Sequence, residues 1–158
     1  MNRRQTLIGV GIVGLAIGWY AFRPELLFVN QQVNERFPTD ASVASGPVSL
    51  AKGNFKSLAH ETKGVATIYK LADGKQTLRL TEFETSNGPD VHVYLTAAEV
   101  AKGSEAIKAA GFIDLGSMKG NQGDQNYDIP ANVDLSKYKN VAIWCERFSV
   151  NFGLAPLT

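Results

Sequence analysis

The larger part of the chain alternates apolar and polar residues over short stretches, and this period of two predicts β-strands. In the run 91–96, aliphatic residues alternate with His92, Tyr94 and Thr96, so we expect a half-buried strand with one wet face. Further β-rich runs lie between turn signals throughout residues 48–158. Strands at this spacing predict an all-β fold, an antiparallel β-sandwich or barrel.

Turn residues between these runs predict how the strands connect. The Asp-Gly pair at 73–74 separates the β-rich runs 65–70 and 76–80, which is a strong signal for a β-hairpin. A second hairpin, with a longer and more polar loop, is expected between 112–116 and 120–128. Both connections are antiparallel, in keeping with the predicted fold.

One segment has the composition of a helix. Residues 97–110 are rich in alanine, and Thr96 with Glu99 forms a potential capping box at its start. Gly103 interrupts the segment. We therefore expect one short helical insertion within the β domain.

A Gly-Pro-Asp turn precedes the run 91–96. Pro89 fixes the backbone φ angle after Gly88, and the Asp90 carboxylate can accept hydrogen bonds from backbone donors. This turn is predicted to be structural. The alternative is that Asp90 binds a cation together with Asp124 or Asp128.

The last apolar stretch contains an irregularity. Its apolar residues occupy odd positions over 141–145 and even positions over 148–152. One extra residue near Glu146 and Arg147 would keep all of them on one face of a single strand, which predicts a β-bulge beside Cys145. A corner of the sandwich is the alternative interpretation.

The N-terminal residues 1–25 predict a membrane anchor. Arg3 and Arg4 precede an uncharged run of 16 residues, 7–22, which would be about 24 Å long as a helix. A small-x-small cleavage site is missing directly after the run, so an uncleaved transmembrane helix is favoured over a cleaved secretory signal. The positive-inside rule then places the following domain outside the cytoplasm, on the periplasmic or exterior side of a bacterial inner membrane.

Composition adds a linker and excludes one class of partner. Residues 26–47 are polar and punctuated by Pro, Gly and Ser, which predicts a linker that holds the domain at 48–158 off the membrane. That domain carries 12 Lys and Arg against 12 Asp and Glu, so it is neutral overall. Nucleic-acid binding needs clustered positive charge, and we therefore expect no nucleic-acid partner.

The only cysteine, Cys145, cannot form a disulfide within the chain, and two interpretations of it stay open: a buried core residue or a reactive thiol. No His or Met follows it, which excludes a blue-copper site, and the chain lacks Cys-x-x-Cys-His and zinc spacings. No metal site is predicted. A non-covalent haem held by Cys145, His60 or His92 stays open as the cofactor.

Several motifs together carry a family resemblance. They are Gly53-Asn54-Phe55, His60, Gly64, Gly88-Pro89-Asp90-Val91-His92-Val93-Tyr94-Leu95, Phe112-Ile113-Asp114-Leu115-Gly116, Gly123-Asp124-Gln125-Asn126-Tyr127-Asp128-Ile129-Pro130, Val141-Ala142-Ile143-Trp144-Cys145, Phe148 and Phe152-Gly153. Over residues 48–158 the chain resembles the DM-thirteen domain, also described as electron transfer DM-thirteen. Membrane-anchored, single-domain bacterial members of that family are similar to this chain in layout.

The resemblance implies a β-sandwich that serves as an accessory electron-transfer module rather than a stand-alone enzyme, with a redox partner protein. It implies that Cys145 is a redox thiol or the ligand of a prosthetic group such as haem. In this hypothesis Trp144, Phe148 and Phe152 form a dry surround, and Arg147 tunes the local charge. The alternative is a non-catalytic binding or adhesion module at the cell surface, in which Cys145 is only part of the core.

Overall fold

The computed structural model describes residues 12–15, 17–20, 29–38, 46–98 and 104–158. Within residues 46–98 and 104–158, nine strands form two antiparallel sheets that pack as a sandwich, and one short helix lies against them. In chain order the elements are β1 Val48–Asn54, β2 Lys56–Ser57, β3 Lys63–Lys70, β4 Gln76–Glu84, β5 Val91–Thr96, α1 Glu105–Ala110, β6 Phe112–Ser117, β7 Gln125–Ile129, β8 Asn140–Cys145 and β9 Val150–Pro156. One sheet has the order β1-β3-β4-β7, and the other has the order β2-β9-β8-β5-β6. The predicted all-β antiparallel fold with one short helix is confirmed.

The hairpin predicted at Asp73-Gly74 is also confirmed. Strands β3 and β4 pair in antiparallel register up to Lys70 and Gln76. In the turn, the Asp73 carboxylate accepts a hydrogen bond from the backbone N–H of Lys75 at 3.0 Å. Gly74 has a φ of 86°, a conformation that glycine adopts without steric cost.

The second predicted hairpin, between 112–116 and 120–128, is wrong. Strand β6 pairs with β5 in the five-stranded sheet, whereas β7 pairs with β4 in the four-stranded sheet. The polar connection crosses from one sheet to the other. It is held there by Asn121. The side-chain amide of Asn121 donates a hydrogen bond to the Thr85 carbonyl at 3.0 Å, and the backbone carbonyl of Asn121 accepts one from the Thr85 N–H at 2.9 Å.

The single bulged strand predicted for the last apolar stretch is wrong as well. The chain reverses there: Cys145 at the end of β8 pairs with Val150 at the start of β9, and residues 146–149 form the turn. Ser149 adopts a φ of 52°, and its N–H donates to the Glu146 carbonyl at 3.3 Å. An irregularity of register does occur, but it lies in the β8–β9 pairing rather than at Glu146.

The sandwich has two groups of buried residues. The main core lies between the sheets and is formed by Phe55, Ala66, Ile68, Leu78, Leu80, Phe83, Val91, Val93, Leu95, Tyr127, Ile129, Val141, Ile143, Cys145, Phe152, Ala155 and Leu157. A second cluster lies on the outer face of the five-stranded sheet and is formed by Tyr94, Ala98, Ile107, Ala142, Trp144 and Leu154. Helix α1 covers this face through Ile107, with Phe112 packed at its side.

The second cluster corrects the expectation of a wet face on β5. Val93 and Leu95 point into the main core as predicted, but Tyr94 and Thr96 on the opposite face are buried too. The Thr96 hydroxyl does not cap a helix from 97 onward. It accepts a hydrogen bond from the Ala98 N–H at 3.0 Å and donates to the Gly111 carbonyl at 3.1 Å.

The N-terminal anchor predicted over 1–25 falls largely outside the described residues. Residues 12–15 and 17–20 are helical. In the part of the chain that the structure describes, no helix has the length and apolar character needed to cross a membrane.

Residues 29–38, which we call the strap, lie within the predicted linker and contact the domain. The Val33 N–H donates to the Gln122 carbonyl at 2.9 Å, and the Glu35 N–H donates to the Asp124 carbonyl at 2.9 Å. These bonds align the strap with the loop before β7. A linker of this composition was not expected to contact the domain.

Glu35 is the most connected residue of the strap. Its carboxylate accepts hydrogen bonds from Lys119 Nζ at 2.8 Å and from the Asn126 N–H at 2.7 Å. Its backbone carbonyl accepts one from Arg79 at 3.2 Å. Burial alone would raise the pKa of Glu35, but Lys119 and the Asn126 N–H outweigh it and lower that pKa. The strap is therefore fixed by charge as well as by backbone pairing.

We predict that Gly123→Ala releases the strap. Gly123 has a φ of 94°, and a Cβ placed there would collide with the Val33 carbonyl. The substitution should cost about 1–2 kcal/mol for the backbone conformation, and it should also displace the strap. Hydrogen exchange of the Val33 and Glu35 amides is the measurement, and both should exchange faster than in the wild type.

Gly74→Ala is the matched control. Gly74 has a similar φ of 86°, but a Cβ there would meet nothing within 4 Å. This variant should lose comparable stability without faster exchange in the strap. Equal strap protection in the two variants would contradict the prediction.

Candidate functional site: Cys145 and the two faces of its sheet

Cys145 lies at the end of β8, between two neighbouring strands. It pairs with Val91 of β5 on one side and with Val150 of β9 on the other. Its side chain faces the main core together with Phe152, and it is 0% exposed. The residue is a free thiol. It is therefore enclosed on all sides, although the next residue begins an exposed turn.

The structure brings together only part of the predicted surround. Phe152 belongs to the same core cluster as Cys145. Trp144 points to the opposite face and joins the second cluster, since neighbouring residues of a strand face opposite ways. Phe148 is 65% exposed in the turn, and Arg147 is exposed beside it. Phe148 is thus no part of a dry surround.

The Gly88-Pro89-Asp90 turn packs against this end of the core. A Cβ on Gly88 would lie 2.6 Å from Cγ2 of Val91 and 3.1 Å from the ring of Phe152, so only glycine fits without displacing them. The Asp90 carbonyl accepts a hydrogen bond from the Glu146 N–H at 2.9 Å. This bond ties the turn before β5 to the turn after β8.

The side chains around Cys145 do not fit a haem. A cofactor needs a pocket of at least about 300 Å³ beside its ligand. Cys145 is instead packed between Val91 and Val150, with Phe152 in the same cluster and no exposed surface on the thiol. The haem-ligand interpretation of Cys145 therefore receives no support from the geometry.

The two histidines lie apart from each other. The His60 ring packs against the Phe152 ring with centroids 3.9 Å apart and planes tilted by 40°, and the backbone N–H of His60 donates to the Phe152 carbonyl at 3.3 Å. His92 lies on the outer face of β5, and both of its ring nitrogens meet carboxylates. Nδ1 is 2.9 Å from Asp114, and Nε2 is 3.2 Å from Asp90. The Asp90 side chain thus bonds a side chain of β5 rather than backbone donors.

The carboxylates proposed as cation ligands are not brought together. Asp124 lies 2.6 Å from the Arg79 guanidinium on the other sheet, while Asp90 contacts His92. In the described ranges, the His, Cys, Asp and Glu side chains form no group of three or more that could hold a metal ion.

Beyond His92, the outer face of the sheet holds a polar and aromatic cluster. The Tyr94 hydroxyl donates a hydrogen bond to the Glu146 carboxylate. Lys108 of α1 lies 3.9 Å from that carboxylate and 5.6 Å from the centre of the Trp144 ring. The Tyr94 ring is stacked on Phe112, with centroids 4.4 Å apart and planes 8° apart.

The electrostatics of this cluster follow from burial and from the carboxylate. Burial raises the pKa of Tyr94, and the hydrogen bond to Glu146 raises it further. The same hydrogen bond lowers the pKa of Glu146, with Lys108 contributing in the same direction. The two groups are thus held as a neutral phenol and a carboxylate.

Sequence reasoning missed Glu146, Lys108 and Asp114 as site residues. The sequence indicated Glu146 only as the position of a bulge, because one continuous strand was expected there. The hairpin instead directs its carboxylate to the outer face, where Tyr94 lies. The alternation of β5 was the usable signal, since it already placed His92 and Tyr94 on one face.

We predict that stability falls as pH rises through the titration of His92. Burial alone would lower the pKa of His92, but Asp114 and Asp90 outweigh it and raise that pKa above the usual 6.5. The charged ring therefore stabilises the fold fully below pH 6.5, and this contribution is lost as pH rises through the higher folded value. The loss should be about 0.5 kcal/mol, the scale of partly exposed ion pairs.

Urea unfolding of the full-length protein at several pH values is the measurement. Asp114→Asn should flatten the dependence above pH 6.5, because it removes the nearer carboxylate. His60→Gln is the control and should leave the dependence in place. If the free energy of unfolding depends on pH as steeply in Asp114→Asn as in the wild type, the pairing of His92 with Asp114 does not stabilise the fold.

Comparison with known proteins identifies one family. The family model described as electron transfer DM13 matches residues 54–157, which is well over half of the chain. No curated protein and no solved structure gives a significant match. The matched segment contains Cys145, the Gly88-Pro89-Asp90 turn and every strand of the sandwich except β1, of which it includes only Asn54. The chain therefore belongs to the electron transfer DM13 family, as the sequence motifs predicted.

Proposed function

We propose that this protein is an extracytoplasmic electron-transfer module in which the Cys145 thiol is the redox group. Residues 1–25 would tether it to a bacterial inner membrane, with the domain on the periplasmic side. The observation that carries the proposal is the family match, which spans Cys145 and names electron transfer. As the only cysteine in the chain, it would have to react with a partner protein.

The position of Cys145 supports a gated thiol. It is fully enclosed, yet residues 147–149 directly beyond Glu146 are exposed. Opening the turn 146–149 would break the two hydrogen bonds that Glu146 makes to β5 and the turn before it, from its N–H to the Asp90 carbonyl and from the Tyr94 hydroxyl to its carboxylate. Local opening of this kind costs less free energy than global unfolding. The closed turn protects the thiol from unspecific oxidants.

Thiol–disulfide exchange is the chemistry that a lone thiol supports. The Cys145 thiolate attacks one sulfur of an oxidised partner's disulfide, a new S–S bond forms, and the partner's second sulfur leaves as a thiolate. A dithiol partner then resolves the mixed disulfide: its first thiolate attacks the Cys145 sulfur and releases the first partner as a dithiol. Its second thiolate attacks the new mixed disulfide, forms a disulfide within the dithiol partner and releases Cys145 in its reduced form. Two electrons pass between the partners in one such cycle.

The full burial of Cys145 favours a second candidate. A thiol with 0% exposure among core side chains is also what a structural cysteine would show. In that case the domain would be a non-catalytic binding or adhesion module. The two functions differ in whether Cys145 becomes accessible without unfolding of the domain.

We predict that oxidised glutathione forms a mixed disulfide with Cys145 in the folded, full-length protein. Mass spectrometry after acid quenching gives the rate, and every adduct reports on Cys145 because the chain has one cysteine. If the turn opens locally, the rate should depend only weakly on low urea concentrations, since little surface is exposed. Reduced glutathione should reverse the adduct.

The comparison with global unfolding decides between the two candidates. A modification rate that rises with urea as steeply as global unfolding would make Cys145 a core residue and favour the binding module. Cys145→Ser serves as the control for adducts elsewhere. A Soret band in the purified protein that disappears in this variant would instead restore the haem ligand.

A further inference from the structure

We propose that Tyr94 is a second redox site, a tyrosine that gives up one electron to an oxidised metal centre while its phenolic proton passes to Glu146. The site would act as a one-electron relay on the outer face of the five-stranded sheet. It does not depend on Cys145, which lies on the opposite face. The proposal therefore stands whether or not the thiol is redox-active.

The hydrogen bond from Tyr94 to Glu146 is the first support. Tyr94 is 1% exposed, and its hydroxyl donates a hydrogen bond to the Glu146 carboxylate. Oxidation of a phenol makes it a very strong acid, so a proton acceptor already in hydrogen-bond contact allows the proton to leave with the electron. Glu146 is half-exposed and could pass that proton on to solvent.

The aromatic neighbours of Tyr94 are the second support. Phe112 is stacked on its ring at 4.4 Å, and the Trp144 ring lies 6.3 Å away at an angle of 23°. Phe112 is only partly buried, so the stack leads from the buried tyrosine toward the surface. An electron that leaves Tyr94 can therefore pass through an adjacent aromatic ring over a short distance toward the surface.

Lys108 favours Tyr94 over Trp144 as the oxidised residue. Its ammonium group lies 5.6 Å from the centre of the Trp144 ring, and a nearby cation disfavours a positively charged indole radical. Oxidation of Tyr94 avoids that cost, because the loss of the proton leaves a neutral radical. We therefore expect the radical to form on Tyr94 rather than on Trp144.

The oxidation of Tyr94 needs one co-reactant, the oxidised metal centre that accepts the electron. Tyr94 loses one electron, and this electron lowers the oxidation state of the oxidant's metal by one. The O–H bond of Tyr94 breaks and an O–H bond forms on Glu146, so the products are a neutral tyrosyl radical and a carboxylic acid. A later electron from a reduced metal centre, with return of the proton from Glu146, restores the phenol.

Tyr127 provides a matched control within the same domain. It is 3% exposed, and its hydroxyl donates to the side-chain carbonyl of Gln125 at 2.6 Å. Its burial and hydrogen bonding thus resemble those of Tyr94, but its acceptor is a neutral amide that cannot take up the proton. Burial raises the pKa of Tyr127 to about 12, so it is likewise a neutral phenol.

The test uses photogenerated ruthenium(III) tris-bipyridine as the one-electron oxidant of the full-length protein in a buffer without basic components. Transient absorption follows the tyrosyl radical, and electron paramagnetic resonance with ring-deuterated tyrosine identifies it. We expect a fast radical phase that is absent in Tyr94→Phe and retained in Tyr127→Phe. Glu146→Gln should slow this phase by roughly 100-fold, the effect of removing a positioned proton acceptor.

Solvent deuterium separates proton transfer from a structural effect. The fast phase should be slower in heavy water for the wild type, because the O–H bond breaks in the same step. Circular dichroism of each variant controls for folding, and Tyr94→Phe keeps the ring that packs on Phe112 and Trp144. A fast phase that survives in Tyr94→Phe, or an unchanged rate in Glu146→Gln, would overturn the proposal.

Discussion

The burial of β8 on both faces is the constraint on which the rest of the structure depends. This strand lies between β5 and β9, with the main core on one side and the second cluster on the other. Since neighbouring residues of a strand point to opposite faces, Trp144 and Cys145 enter different compartments. A two-residue motif thereby contributes to two chemically distinct sites, one apolar and closed, the other aromatic and polar.

The sequence predicted the elements that depend on short-range signals. The Asp73-Gly74 hairpin and the inward face of β5 follow from turn chemistry and alternation. The last hairpin was missed because its turn, residues 146–149, contains no Gly, Pro, Asn or Asp, and Ser149 takes its positive φ without a sequence signal. The strap was missed because Glu35 bonds partners more than eighty positions away, such as Lys119.

The candidate site was predicted in part for the same reason. Cys145 could be singled out by its uniqueness, and the Gly88-Pro89-Asp90 turn by its composition. Which side chains surround the thiol depended on whether 141–152 forms one strand or two. Because the chain reverses at this point, Phe148 is exposed to solvent and the Glu146 carboxylate contacts the Tyr94 hydroxyl. A single error in connectivity therefore changed the partners of several residues at once.

The turn 146–149 couples the two faces of the sheet. Cys145 directly precedes it, and Glu146, the hydrogen-bond acceptor of Tyr94, is its first residue. Opening the turn far enough to expose the thiol would displace Glu146, which is also bonded to Asp90 through its N–H. The closed turn keeps the proton acceptor in contact with Tyr94 and shields the thiol. If both proposals hold, Tyr94 would therefore react while the turn 146–149 is closed, and the Cys145 thiol would react while it is open.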